Sequence, residues 1–253
     1  MELPSLKIDV SQTPILSTTG SSSYNTYSQT LRLRYGLEPV PYSWLIMERI
    51  EGNHIGDAQA RMTEINMDRI QVEMGQHVGL LHAHTREAGF GPLVGEASDT
   101  WPEHFQRQIA SEMRDAWATG LMRDGDRAAC ERIVESIPDQ LKRDVKPSLV
   151  HGDIWATNIM IGGGLGEMGI SGFLDPGGIF ADPEYELAYL EIWHTVTPHF
   201  FEAYSAHHQI TEGYELRRMF YWLNTLLLHV RAFKTDHYAS AATDLVRRLG
   251  EWV

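Results

Sequence analysis

The run His-Gly-Asp-Ile-Trp-Ala-Thr-Asn at 151–158 and the later Asp175 constrain this chain more than any other feature. An acid and an amide stand five residues apart, and a second acid follows the next apolar stretch. Amide and carboxylate oxygens are hard ligands that suit magnesium, which seldom receives a cage made of protein alone. Asp153 is placed to accept or orient the proton of a hydroxyl group. The pattern therefore predicts phosphoryl transfer from a nucleotide, with Asp153 as base and with Asn158 and Asp175 as metal ligands.

The same residues carry a family resemblance. The pattern His-Gly-Asp-x-x-x-x-Asn, followed by Asp-Pro at 175–176, resembles the catalytic core of the aminoglycoside phosphotransferase and choline kinase superfamily, which has a protein-kinase-like fold. The block Ala-Asp-Pro-Glu-Tyr-Glu-Leu-Ala at 181–188, with Leu-Glu-Ile-Trp at 190–193, narrows the resemblance to the fructosamine (ketosamine) kinases. Trp155 and the Phe-Phe-Glu-Ala-Tyr run at 200–204 fit that branch. The resemblance covers residues 44–253 well and residues 1–43 poorly.

The resemblance implies an α+β protein with a protein-kinase-like bilobal fold. A reduced N-terminal β lobe and hinge are expected over residues 1–50, and a mainly helical C-terminal catalytic lobe over residues 51–253. The short apolar run at 44–48 would be a buried strand that leads into the hinge. Backbone groups of Met47, Glu48 and Arg49 would then contact the adenine of ATP.

The activity that the resemblance implies is that of an ATP- and Mg2+-dependent small-molecule kinase, a phosphotransferase with an alcohol group as acceptor. The γ-phosphoryl group would pass to a hydroxyl of a ketosamine or a related amine-bearing sugar. The acceptor would lie near Trp155 and Asp182, although packing is the simpler explanation for a large aromatic such as Trp155. His151 is expected to shape the loop through hydrogen bonds. Glu186 stands where the family usually has the Asp that supports this loop. Because Glu is one methylene longer, the sequence does not predict whether Glu186 makes the same hydrogen bonds to the loop.

The first 43 residues depart from the family pattern. A turn of small residues at 20–27 could cover phosphate groups with its backbone N–H groups, but Lys7, the only lysine before the hinge, lies upstream of it. No glutamate between Gly36 and Trp44 can be assigned as the partner of such a lysine, and this interval is too short for a strand, a helix and another strand. Arg32 or Arg34 could reach the phosphates in place of a lysine, but alternation at 31–35 more simply predicts a half-buried strand on which both face solvent.

This departure leaves an alternative function open. The chain could be a catalytically impaired or inactive kinase-like protein, with a truncated small lobe, that acts as a ligand- or partner-binding module. It could also keep the fold and carry out another reaction on a related substrate, because a fold does not fix a function.

Composition limits the partners. The chain has 253 residues and 43% hydrophobic content, enough for a sizeable core and for one bilobal domain or two small ones. Its formal net charge is -13 without a Lys/Arg cluster, which argues against nucleic acid, since phosphate-backbone binding needs a basic face. An acidic surface favours a cationic small-molecule substrate such as an amine sugar. A soluble protein with an acidic surface is nevertheless the simpler explanation of the negative net charge by itself. The sequence does not predict the oligomeric state.

The sequence also predicts a cytoplasmic protein without a membrane association. Cys130 is the only cysteine, so an internal disulfide is impossible and a reducing compartment is expected. The first 14 residues lack the basic and then apolar pattern of a signal peptide. No apolar run approaches the length that a bilayer requires.

Periodicity predicts the remaining elements. Helices are expected at 63–86, 101–121, 126–141, 184–194, 212–234 and 239–252, with Asp126 and Thr211 as caps of the third and fifth. Strands are expected at 149–150, 159–161 and 170–174. The Gly-x-Gly-x-x-Gly match at 164–169 lies between two short strands and predicts a hairpin turn, because a dinucleotide-binding loop needs a following helix. His82 is expected at a lobe surface.

Overall fold

The computed structural model describes residues 49–58, 62–163 and 168–253, and the backbone of four short strands before them. The strands are β1 Lys7–Val10, β2 Leu16–Ser17, β3 Thr26–Tyr27, β4 Leu31–Arg34, β5 Asn53–His54, β6 Gly91–Pro92, β7 Ser148–Val150, β8 Ile159–Gly162, β9 Gly169–Phe173 and β10 Ile179–Ala181. The helices are α1 Ile55–Ala58, α2 Glu64–His82, α3 Trp101–Ala118, α4 Asp124–Gln140, α5 Pro183–Ile192, α6 Pro198–Ser205, α7 Tyr214–Phe233 and α8 Asp236–Leu249.

The chain divides into two compact units. The smaller unit contains residues 1–73 and 155–176, and the larger unit contains residues 74–154 and 177–253. The sequence placed a boundary at residue 50, whereas the hairpin at 155–176 belongs with the N-terminal segment. The chain thus passes from one unit to the other between the residues expected to be catalytic and those expected to bind metal.

In the part of the smaller unit that the structure describes, the strands form three small antiparallel sheets. Strand β1 pairs with β4, and β2 pairs with β3, so the strand predicted at 31–35 is confirmed over Leu31–Arg34. The third sheet has the order β5-β8-β9. Gly52 lies at its edge with φ of +131°, and a Cβ there would lie only 2.1 Å from the Ile161 carbonyl oxygen. Glycine is therefore required where the chain enters β5.

The hairpin of β8 and β9 is the part of this sheet that concerns function. Both strands are close to the predicted positions, and they pair with Ile159 opposite Phe173. The pairing confirms the hairpin, although residues 164–167 of its turn lie outside the described residues. Glu73 accepts the backbone N–H of Ile170 at 2.8 Å, which fixes the start of β9.

The larger unit is built around helices α3, α4, α5, α7 and α8 and a sheet of order β6-β10-β7. Its core combines large aromatic and aliphatic side chains that are almost fully buried: Trp101, Phe105, Ile109, Ile133, Ile137, Phe220, Tyr221, Leu227 and Val246. Burial of such apolar surface is the main force that holds these helices together. Among the described residues, none of the helices combines the length and apolar character needed to cross a bilayer.

Two predicted helix caps are wrong. Helix α4 begins at Asp124, two residues before the predicted cap Asp126, and Arg123 precedes it without a side-chain cap. Helix α7 begins at Tyr214 after Gly213, whose φ is +83°. Thr211 instead donates its hydroxyl to Glu184. Ser, Thr and Asp side chains compete for several local partners, so a cap cannot be assigned from residue type alone. Helix α6 was not predicted.

Candidate active site

The loop at 151–154 follows β7 directly in the larger unit. Strand β7 lies at the edge of its sheet and pairs with the central strand β10, with Val150 opposite Ile179. Immediately beyond the strand, the His151 carbonyl oxygen accepts the Gly178 N–H at 3.1 Å. Gly152 then turns the chain with φ of +85°, a backbone conformation that residues with a side chain rarely adopt. The loop therefore leaves a well-supported strand end through a turn that glycine permits.

Glu186 on α5 holds this loop from behind. Its Oε1 accepts the backbone N–H of Gly152 at 2.7 Å, and its Oε2 accepts that of His151 at 3.1 Å. Although glutamate is one methylene longer than aspartate, Glu186 therefore makes the hydrogen bonds to the loop that the sequence could not predict. Glu186 is fully buried, yet its pKa is lowered, because donors from His82 and the loop outweigh the cost of burying its charge. An ionised carboxylate is a strong acceptor, so the loop is firmly held.

His82 completes this support, and sequence reasoning missed it. The expectation that His82 lies at a surface is wrong, because its side chain is completely buried. Its Nε2 lies 2.9 Å from Glu186 Oε2, and its Nδ1 lies 2.8 Å from the Tyr204 hydroxyl. The sequence did contain a signal: His82 continues the series Ile70, Met74 and Val78 at four-residue spacing, so it belongs to the buried stripe of α2.

Asp153 is oriented by two groups of the same unit. Its backbone N–H donates to Nδ1 of His151 at 3.2 Å, and its Oδ1 accepts the Tyr189 hydroxyl at 2.5 Å. Burial, the hydrogen bond to Asp153 and the charge of that carboxylate all raise the pKa of Tyr189. Tyr189 therefore keeps its proton and remains a donor. One oxygen of Asp153 is fixed in this way, and Tyr189 is a second residue that the sequence did not single out.

Aromatic side chains surround the neighbourhood of Tyr189. Trp193 is the residue that caps the C-terminus of α5, and its ring centroid lies 6.2 Å from that of Tyr189 and 4.7 Å from that of His229 on α7. His229 Nδ1 is 2.8 Å from the Thr225 carbonyl oxygen and therefore carries the donated hydrogen. Burial lowers the pKa of His229, while the Thr225 bond and the charge of Asp153 oppose this. The neutral ring that results can accept a hydrogen bond through Nε2.

Asn158 and Asp175 are neighbours in the smaller unit. Asn158 directly precedes β8, and its carbonyl oxygen accepts the Leu174 N–H at 2.8 Å. Because β8 and β9 are antiparallel, this bond brings the residue before β8 beside the residues after β9. Asn158 is buried, whereas Asp175 is exposed and has φ of +53°. Asp tolerates this left-handed conformation better than most residues, and the strained backbone marks a candidate functional position.

These two residues fit magnesium better than zinc. They offer an amide oxygen and a carboxylate, which are hard ligands, and magnesium commonly takes only one or two protein groups besides water and phosphate. Within the ranges 49–58, 62–163 and 168–253, no group of three His, Cys, Asp or Glu side chains is arranged to hold a metal. The donor set therefore suits a metal that arrives with a nucleotide.

Of the other predicted site residues, two lie outside the described part of the chain and two are exposed. Met47 and Glu48 lie outside the described residues, while Arg49 is exposed and pairs with Glu51 at 3.3 Å. Trp155 exposes 42% of its surface, so its ring is not packed in the core and is accessible to a ligand.

Asp182 is fully buried at the start of α5. It caps the helix through the Glu184 N–H at 2.9 Å, pairs with Arg143, and accepts the Tyr221 hydroxyl at 3.0 Å. Both carboxylate oxygens are thus engaged by protein groups. This geometry argues against the substrate-binding role predicted for Asp182 and favours a structural one.

Comparisons with known proteins identify relatives of this chain. A probable ketoamine kinase of Staphylococcus aureus is 29% identical over 74% of this chain and 69% of its own length. The chain spans 51% to 69% of the length of the ketoamine and ketosamine kinases that it matches first.

Solved structures give the fold. A putative fructosamine-3-kinase from Thermobifida fusca superposes with a TM-score of 0.66 at 22% identity, over 83% of this chain and 72% of that one. A thermostable aminoglycoside phosphotransferase APH(4)-Ia mutant, in ternary complex with AMP-PNP and hygromycin B, gives a TM-score of 0.63 at 18% identity, over 89% and 76%. The α+β, protein-kinase-like fold with a reduced sheet lobe is thereby confirmed. The fructosamine kinase family model matches residues 41–251, and the chain belongs to that family.

Proposed function

We propose that this protein is an ATP- and Mg2+-dependent kinase that transfers the γ-phosphoryl group to a hydroxyl of a ketosamine or a related amine-bearing sugar. The observation that carries the proposal is the hydrogen bond from Tyr189 to Asp153, on a loop whose backbone is held by Glu186. This hydrogen bond orients one carboxylate oxygen of Asp153. A carboxylate fixed in this way is suited to accept the proton of an attacking hydroxyl.

Asn158 and Asp175 are proposed to hold the metal. When bound, Mg2+ neutralises the charge of the phosphates and helps to align the transferred group. The contribution of the chain is to present the amide of Asn158 and the carboxylate of Asp175 from one end of a hairpin, joined by the bond between Asn158 and Leu174. The exposed position of Asp175 leaves its oxygens accessible to an incoming ion.

The nucleotide and the acceptor are assigned by similarity and by chemistry. The AMP-PNP complex of a structural neighbour supports ATP as donor, and Met47, Glu48 and Arg49 are proposed to contact its adenine. The similarity to ketoamine and ketosamine kinases supports a ketosamine acceptor. Exposed Trp155 is proposed to contact the acceptor, and the net charge of -13 supports a cationic one. Asp182 is left out of this assignment because it is buried.

The test is the identity of the product. The protein is incubated with ATP, MgCl2 and a 1-alkylamino-1-deoxyfructose, and 31P NMR follows the appearance of a phosphate monoester on the sugar. We expect the monoester with the wild-type chain and with Asp139→Asn, an exposed acid on α4. We expect none with Asp153→Asn. Absence of the monoester with the wild-type chain, together with unimpaired binding of the sugar, would favour the ligand-binding alternative.

A further inference from the structure

A groove with aromatic walls lies between helices α5, α7 and α8 of the larger unit. It encloses a cavity of about 250 Å3, and a second cavity of about 390 Å3 shares Trp222 and Arg248 with it. Its lining is largely apolar and includes Ile192, Trp193, Trp222, Leu226, Tyr238 and Leu245. Neither cavity includes any of the residues assigned so far to catalysis or to metal binding.

The groove includes Trp193, which contacts the residue that orients Asp153. Trp193 forms one of its walls, and the Trp193 ring lies 6.2 Å from that of Tyr189, whose hydroxyl donates to Asp153. On its other side, Trp193 lies 6.1 Å from Tyr238, a second wall of the groove. A single aromatic side chain therefore separates the groove from the residue that orients the proposed base. The Trp193 ring is thus in contact both with Tyr189 and with the groove wall at Tyr238.

The aromatic walls are fixed before any ligand arrives. The Trp222 indole N–H donates to the Ala188 carbonyl oxygen at 2.8 Å, and the Arg218 guanidinium lies 4.9 Å from the centre of the Trp222 ring. Arg218 is itself held by Glu191 at 2.8 Å. Walls that are already ordered lose little conformational entropy on binding, which favours affinity.

The chemistry of the lining selects the occupant. A polar group placed against Ile192, Leu226 and Leu245 would lose its hydrogen bonds to water without gaining protein partners, which is costly. An aromatic ring has no such loss, and it gains ring contacts with Trp193 and Tyr238. The lining also includes Asp244, whose carboxylate lies 3.9 Å from the Arg247 guanidinium, and Arg248, so these charges offset each other and the apolar walls select the occupant.

We propose that the groove binds an apolar, preferably aromatic, substituent on the amine of the acceptor, so that the preferred acceptors are ketosamines with an aryl-bearing aglycone. The inference rests on the proposed function, because it takes Asp153 as the site of the reacting hydroxyl. It adds a second binding region that determines specificity without touching the reacting atoms.

Two acceptors that differ by one ring test the proposal on the wild-type chain. These are the 1-deoxyfructosyl derivatives of ethylamine and of 2-phenylethylamine, compared by kcat/KM at fixed ATP and Mg2+. Removing the ring from water should raise kcat/KM about tenfold for the phenylethyl compound, mostly through KM. Equal values for the two acceptors would overturn the groove proposal and leave the proposed function intact.

A matched pair of variants locates the effect. Ala241 lines the cavity, whereas Ser240, one residue earlier on α8, is exposed and does not. Ala241→Phe should lower the phenylethyl-to-ethyl ratio of kcat/KM towards one, and Ser240→Phe should keep the wild-type ratio. A ratio that is unchanged in a folded Ala241→Phe protein would contradict the proposal.

Failure of the proposed function has a separate signature. If neither acceptor is phosphorylated, calorimetric titration of the wild-type chain with each compound still tests the groove. Binding of the phenylethyl compound about tenfold tighter than that of the ethyl compound, lost in Ala241→Phe, would support the groove alone. Equal or undetectable binding of both would overturn it.

Discussion

Glu186 Oε1 accepts the backbone N–H of Gly152 at 2.7 Å, so a buried carboxylate on α5 fixes the residue that precedes the proposed base. Shortening this side chain should therefore loosen the loop. We expect Glu186→Asp to lower kcat about tenfold or more, since misplacement of a reacting group by about 1 Å can cost about 100-fold. The measurement is steady-state kinetics beside a thermal unfolding curve. A full wild-type kcat in a folded Glu186→Asp protein would contradict this role.

The lowered pKa of Glu186 also predicts a pH dependence of stability. A carboxyl group whose pKa is lower in the folded than in the unfolded state contributes stability that is fully present above the unfolded value, about 4.3. That contribution is lost as the pH falls from about 4.3 through the folded pKa. Urea unfolding from pH 7 to pH 3 should therefore show a steeper loss of unfolding free energy for the wild-type chain than for Glu186→Gln. Parallel curves would contradict the prediction.

Replacing the buried His82 should lower the free energy of unfolding of the protein. The change His82→Leu leaves the buried Glu186 carboxylate without its side-chain donor and removes the partner of Tyr204. Loss of one member of a buried pair typically costs about 3 kcal/mol or more. Denaturant unfolding should show this loss in His82→Leu and a smaller one in His82→Gln, which keeps a donor. A change within about 0.5 kcal/mol for His82→Leu would show that the contact contributes little.

Tyr189 should affect turnover more than binding of the nucleotide. Tyr189→Phe keeps the ring that packs against Trp193 but removes the hydrogen bond to Asp153. We expect kcat to fall about tenfold, the order for losing one orienting hydrogen bond to a charged group. The KM for ATP should stay within about twofold, because Tyr189 has no proposed contact with the nucleotide. A selective rise in the KM for ATP would contradict this assignment.

Cys130 offers a probe of the helical core. It is fully buried on α4, and burial, together with the charge of Glu131, raises its pKa to about 12. The thiolate is the reactive form, so an aromatic disulfide reagent should label the native protein at least about 1000-fold more slowly than the unfolded chain at pH 8. Labelling on the mixing timescale without denaturant would contradict the burial of this side chain.

The sequence was most informative where a chemical pattern and an apolar periodicity coincided. The strands on each side of the loop at 151–158 were predicted because short apolar runs bracket it, and the hairpin of β8 and β9 followed from the Gly-rich segment between them. Helices α3 and α5 begin within one residue of the predicted starts at 101 and 184, and each has a proline in its first turn, where proline fits.

The sequence was least informative where function depends on long-range contacts. The bond from Tyr189 to Asp153 joins residues 36 apart, and that from His82 to Glu186 joins residues 104 apart. No local pattern reveals such pairs. The contacts of Asp182 could not be foreseen for the same reason, since its partners Arg143 and Tyr221 come from distant elements. Buried polar groups are satisfied by tertiary partners that only the folded chain provides.

The measurement that bears most directly on the central claim is γ-phosphoryl transfer across a range of Mg2+ concentrations for the wild-type chain, Asp153→Asn and Asp175→Asn. If Asp175 holds the metal and Asp153 accepts the proton, Asp175→Asn should raise the Mg2+ concentration for half-maximal rate about tenfold or more. Asp153→Asn should lower the maximal rate by about 100-fold or more without changing that concentration. Wild-type maximal rates and wild-type Mg2+ dependence in both variants would contradict the account.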